Sequence, residues 1–153
     1  MTGAPFNYED FAVGQRFASP SGRMDAAAIK EFAAEFDPQP QHTNEPAAAA
    51  GRFGGLIASG WHTAAVTMRL LMTGGLPPVA GGTVGAGVES LNWPRPVRPG
   101  DVLSVKTEIL ETRPSRSRPA YGLVRFRAET RNERGETVQE MTSTLIVPRR
   151  AAG

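Results

Sequence analysis

The chain has 153 residues, 40% of them hydrophobic and 21% charged, with a formal net charge of +2. That is the size and balance of one globular domain able to bury a core, and it excludes a disordered chain. With no cysteine and two histidines, disulfides, thiolate metal sites, thiol nucleophiles and multi-histidine metal centres drop out. The small charge and the lack of a stacking-plus-basic motif argue against nucleic acid as a partner. No apolar stretch is long enough to span a bilayer, and the acidic start MTGAPFNYED does not read as a secretory signal. The expectation is one soluble cytoplasmic domain over residues 1–153, with no membrane partner.

In chain order, Gln15 to Ala18 forms a short strand between turns. Asp25 is an N-cap for AAAIKEFAAEF, a helix whose Ile29, Phe32, Ala33 and Phe36 recur at i, i+3, i+4 and i+7 and make one buried face. Pro38 and Pro40 stop it, because proline lacks an amide proton and restricts the residue before it. Asn44 caps a short helix over Glu45 to Ala50 that Gly51 closes. After a glycine-containing connection, Ser59 caps a helix over Trp61 to Leu71, ended by Gly74 and Gly75. Its apolar residues cover more than one face, which predicts burial on most sides and a place at the centre of the fold.

From Val84 onward the period changes to two. Val84, Ala86 and Val88 alternate. Leu103, Val105, Thr107 and Ile109 share one face of the next strand. Val124, Phe126, Ala128 and Thr130 share a face of the third, opposite Arg125, Arg127, Glu129 and Arg131. A loop over Asn132 to Glu136 joins it to Thr137–Val147 in a hairpin. The proline-rich WPRPVRPGD, from Trp93 to Asp101, is a stiff connection, and Arg113 to Pro119 is a basic loop at strand ends. The result is an α+β arrangement, an antiparallel sheet wrapped around one long central helix.

The residues that carry chemistry lie between the two long helices. On a regular helix Asp37 and His42 would point well apart, since each turn takes 3.6 residues. A turn built on Pro38 and Pro40 instead bends them toward a common point, where one water can be held by both and proton transfer becomes the natural chemistry. At the following helix start, the free amides at Ser59 and Gly60 favour negative charge, and Gly60 leaves room for a carbonyl to approach. Ser59 lacks a GxSxG elbow and is better explained as a cap than as a nucleophile. His62, near a helix N-terminus, is assigned to packing or pocket lining, and Trp61 and Trp93 to core or interface.

FDPQPQH, SGWHT after a spacer, and WPRPVRPGD before a strand resemble the MaoC-like acyl dehydratases, which include the (R)-specific enoyl-CoA hydratases of the hot-dog fold. In that family an aspartate is followed by any residue, asparagine, proline, any residue and histidine. Asp37, Pro40 and His42 match, and Gln39 stands where asparagine is usual. The spacing from Asp37 to Gly60 agrees as well. The resemblance implies a single hot-dog domain that adds water to a trans-2-enoyl-CoA or removes it, with no metal or redox cofactor and coenzyme A only as part of the substrate. It implies that Asp37 and His42 activate the water while the Gly60 amide polarises the thioester carbonyl. Substrate-binding positions are then Gln39, Ser59 and Trp61, with Arg113, Arg116 and Arg118 as contacts for the coenzyme A phosphates. Where some hydratases carry a serine further along the central helix, this chain has Met68, so a different pocket shape is expected.

The family also implies a homodimer or an assembly of dimers, which an available sheet edge makes physically reasonable. Two rival readings keep the fold. One is an acyl-CoA thioesterase, using the same activated water on the carbonyl carbon. The other is a non-catalytic acyl-binding hot-dog subunit.

Overall fold

The computed structural model describes residues 3–151. Two short strands, β1 (Arg16–Ala18) and β2 (Gly22–Arg23), precede helix α1 (Ala26–Phe36). Two small helices follow, α2 (Pro40–Thr43) and α3 (Glu45–Ala50), and then α4 (Gly60–Leu70). The remainder is strand: β3 (Val84–Asn92), β4 (Val102–Pro114), β5 (Tyr121–Arg131) and β6 (Thr137–Pro148).

The sheet runs in the order β1-β4-β5-β6-β3, with β2 also paired to β4, and every pairing is antiparallel. The alternation read from the sequence has its cause here. Leu103, Val105, Thr107 and Ile109 on β4, and Val124, Phe126, Ala128 and Thr130 on β5, are all buried. The arginines and glutamates between them face out as ion pairs, among them Arg131 with Glu129 at 2.9 Å. The α+β expectation therefore stands, with the sheet closing over α4. Thr67 on the helix meets Thr130 on the sheet, hydroxyl to hydroxyl at 2.7 Å. At its C-terminal end α4 widens into a looser turn over Leu71–Gly75, where Gly74 takes φ of 142°, a region that favours glycine.

Four expectations need correction. Phe36 is 64% exposed, because α1 inserts only Ile29 and Ala33 into the core and its last turn runs past the cover of the other elements. Helix α4 and the turn that continues it are not buried on most sides: Trp61, Met68 and Met72 are 60%, 50% and 46% exposed, and their spacing puts them along one stripe. Pro40 does more than stop a helix, since it opens α2 at the first helical position, where its missing N–H costs nothing. Arg113 belongs to β4 and not to the loop after it.

Candidate active site

Pro38 ends α1 at Phe36, leaving Asp37 as its C-cap with φ −154° and ψ 67°. The chain turns at once, with the Gln39 amide donating to the Asp37 carbonyl at 2.8 Å, and α2 carries His42 back over it. The structure thus brings together two residues that a continuous helix would separate. His42 Nε2 stands 3.4 Å from Asp37 Oδ2.

Each side chain of the pair is held from behind. His42, 6% exposed, places Nδ1 at 2.7 Å from the Ile57 carbonyl. A carbonyl only accepts, so Nδ1 carries a proton, and in the neutral ring the lone pair then falls on Nε2. Ser59, wholly buried, donates its hydroxyl to Asp37 Oδ2 at 2.6 Å, and Ser59 Oγ in turn accepts the Trp61 amide at 3.2 Å. Gln39 donates to the other carboxylate oxygen at 2.5 Å and accepts from Gln41 at 3.2 Å. These bonds to the charged form, Ser59 first and Gln39 second, hold the Asp37 carboxyl below its ordinary value of 3.8. Partial burial opposes them, and the charge of His42, when that ring is protonated, adds to them.

An anionic carboxylate and an imidazole lone pair 3.4 Å apart are two acceptors facing each other. A water that gives one hydrogen to each satisfies both and is left with its own lone pairs free. The Gly60 amide is the first of α4 and has no intrahelical acceptor. Among the described residues it donates to no other group either. Base, carboxylate and open amide meet around the start of one helix, an arrangement suited to moving a proton while negative charge grows on an oxygen.

Two other predicted positions have a different setting from that expected. The missing side chain of Gly60 is matched by an indole, not by open space: a Cβ there would lie 2.6 to 2.8 Å from Trp93 Cε2, Cδ2 and Cζ2. Trp61 gives its backbone amide to the Ser59 cap while its exposed ring stands edge-on to Trp93 at 5.4 Å. Arg113, Arg116 and Arg118 are not brought to the cluster. They sit around the β4–β5 turn, at the end of the sheet where Tyr121 pairs with Pro148, whereas the cluster borders the end where Thr130 pairs with Gln139. Eight residues of β5 lie between those rungs, about 30 Å of strand from one to the other.

Sequence reasoning missed the Ile57 carbonyl, which no side-chain pattern announces, and the Trp93–Gln139 pair. For the second a signal existed. Gln139 shares its parity with Met141, Ser143, Leu145 and Val147, so an amide stood at a core-facing position. It is fully buried and accepts from Trp93 Nε1 at 2.9 Å. His62 lies as assigned, in packing, stacked on Phe32 at 4.6 Å and 6°.

The MaoC like domain profile matches residues 10–131, which include the whole cluster. The chain belongs to the MaoC-like family. Similar proteins extend over nearly its full length. A MaoC-like dehydratase of Rhodospirillum rubrum is 55% identical, with a TM-score of 0.90, over 96% of this chain and 99% of that one. The (R)-hydratase PhaJ1 of Pseudomonas aeruginosa, unliganded, is 28% identical with a TM-score of 0.77, over 94% of this MaoC-like chain and 86% of its own. YdeM of Bacillus subtilis, an uncharacterized protein, is 33% identical over 92% of this chain and 98% of its own. The hot-dog fold and membership of a hydratase and dehydratase family follow. No helix among the described residues is long and apolar enough to cross a membrane.

Proposed function

We propose that this protein is a hydro-lyase that adds water across the C2=C3 bond of an enoyl thioester of the acyl-CoA type, or catalyses the reverse. The observation that carries the reading is the Asp37–His42 pair, whose 3.4 Å separation and fixed imidazole tautomer leave two acceptors for one water. The water oxygen bonds to C3 while one of its protons passes to His42 Nε2. Asp37 stays anionic beside the imidazolium that forms. Electron density moves through C2 onto the thioester oxygen, which the Gly60 N–H receives; one such donor is worth roughly 3 kcal/mol of barrier. C2 then takes that proton back from the His42 imidazolium, which restores the base, so that H and OH are added and nothing else is consumed. The reaction as written uses water, carboxylate, imidazole and amide, with no metal or redox cofactor.

An apolar groove of about 270 Å³ supports an acyl substrate. It is lined by Met68, Met72, Gly85, Gly87, Met141 and Leu145, between α4 and β3. Met68 lies eight residues beyond Gly60, about 12 Å along the helix. The exposed stripe of Trp61, Met68 and Met72, together with Val84 and Val88 on the unpaired edge of β3, fits a second copy of the chain and supports a homodimer. Lysine at both Val84 and Val88 is expected to give a monomer by sedimentation, and an unchanged mass would remove that interface.

The decisive assay mixes the protein with crotonyl-CoA. Loss of the conjugated enoyl-thioester absorbance without free thiol is the expected result. Thiol release would favour the thioesterase reading, and binding without turnover would favour a non-catalytic acyl-binding subunit.

A further inference from the structure

Residue 60 is a glycine because an indole occupies the place of its side chain, and the same indole determines where the Gly60 amide sits. We infer that Trp93 is a positioning residue for the Gly60 N–H, clamping the first turn of α4 to the sheet so that the amide meets the thioester oxygen.

Three contacts carry this. The six-membered ring of Trp93 covers Gly60 so closely that a Cβ there would fall 2.6 Å from Cε2, inside any distance that a real side chain adopts. The indole is held in turn from the sheet, its Nε1–H donating to Gln139 Oε1 at 2.9 Å. Indole nitrogen only donates, so the Gln139 amide must present its oxygen, and its Nε2 is left buried without a partner among the described residues. That arrangement costs stability, since an orphaned buried donor keeps its desolvation penalty, and it persists because the oxygen is committed to Trp93. Trp61, the residue after Gly60, closes the other side with its ring edge-on to the indole.

The first turn of α4 is therefore located twice. The Ser59 side chain ties it to Asp37, and Trp93 ties it to β6 through Gln139. Ser59 sets the distance between the helix and the acid, and Trp93 sets the direction of the Gly60 amide relative to both. Glycine is the residue with most freedom to wander when such a contact is lost.

The kinetic arm of the test rests on the hydratase reading, and the other two arms do not. In Trp93→Ala, kcat for crotonyl-CoA hydration is expected to fall about 10²-fold, the size associated with a reacting group displaced by roughly an ångström. KM should change by less than about threefold, since the loss belongs to the transition state. Trp93→Phe, which keeps an aromatic ring beside Gly60 but gives up the fused second ring and the bond to Gln139, should recover part of the rate. In ¹H–¹⁵N spectra the Gly60 amide signal should move in the alanine variant and return toward its wild-type position in the phenylalanine variant. Gly60→Ala should lower the thermal midpoint sharply in wild type and little in the Trp93→Ala background, where the space is vacated. A Trp93→Ala protein with unchanged kcat, a loss carried by KM, an unmoved Gly60 signal, or additive effects of the two alanine substitutions would each overturn the inference. Failure of the wild type to hydrate any enoyl thioester would sink the proposed function instead, and leave the spectroscopic and stability arms to decide the role of Trp93.

Discussion

Replacing Ser59 by alanine separates a positioning hydroxyl from a nucleophile. Ser59 is wholly buried and makes two bonds, donating to Asp37 Oδ2 at 2.6 Å and accepting the Trp61 amide at 3.2 Å. The first is a hydrogen bond to a charged group, worth about 1.5–3 kcal/mol. The second is a helix N-cap, worth about 1 kcal/mol. Because both share one oxygen they are not additive, and a net loss of about 2–3 kcal/mol is expected. For a domain of this length that lowers the thermal midpoint by about 4–12 °C. Asp37 loses the largest of the bonds that depress its pKa and keeps the one from Gln39, so its carboxyl rises toward the ordinary value and stays ionised at neutral pH. With the acid still charged and the Gly60 amide still present, hydration should fall by about ten- to a hundredfold, a loss of about 1.4–2.7 kcal/mol of transition-state binding. The assay is crotonyl-CoA absorbance decay at a temperature well below the variant's midpoint. Complete loss of turnover in a folded variant would mean that the hydroxyl takes part in the chemistry, and an unaffected rate would mean that the Ser59–Asp37 bond does not organise the site.

Two further outcomes follow from the geometry. His62 is buried, stacked on Phe32, and its Nδ1 has no partner among the described residues. Burial first, and Arg69 second, push its pKa below the ordinary 6.5, against an opposing pull from Asp25. Below the unfolded value the unfolded chain binds a proton that the folded chain refuses. Stability should therefore drop as pH falls from 7 toward 5, by at most about 1.4 kcal/mol per pH unit from this group. His62→Phe keeps the stack and should remove that part of the slope in urea titrations; an unaltered slope would show that His62 is not its source. Met68→Ala enlarges the apolar groove beside α4 and should raise kcat/KM for longer or branched enoyl thioesters relative to crotonyl-CoA, whereas an unchanged ratio would place the acyl chain elsewhere.

The local parts of this molecule were legible in the sequence and the long-range ones were not. Asp37, Pro38, Pro40 and His42 are close neighbours in the chain, so their meeting follows from proline restricting the backbone. The inward faces of β4 and β5 are equally local, a matter of period two. Ser59, by contrast, reads as a cap, and its stronger bond spans 22 residues to Asp37. The Trp93–Gly60 contact needs the β3 edge to arrive beside α4, which no spacing reveals. The apolar residues of α4 misled for a physical reason: Met68 reads as core by composition and is 50% exposed, and hydropathy does not distinguish cover by the same chain from cover by a substrate or a second copy. The place of the basic loop was also long-range: only the sheet register puts Arg113 at the end of β5 away from the cluster.

The central claim is that Asp37 and His42 together hold the reacting water beside them, and Asp37→Asn tests it most directly. Its amide cannot accept as the carboxylate does or face an imidazolium. It is close to the same size and keeps an oxygen for Ser59, so the fold should persist by circular dichroism. The account predicts that the folded variant no longer bleaches crotonyl-CoA. Turnover at the wild-type rate would contradict it.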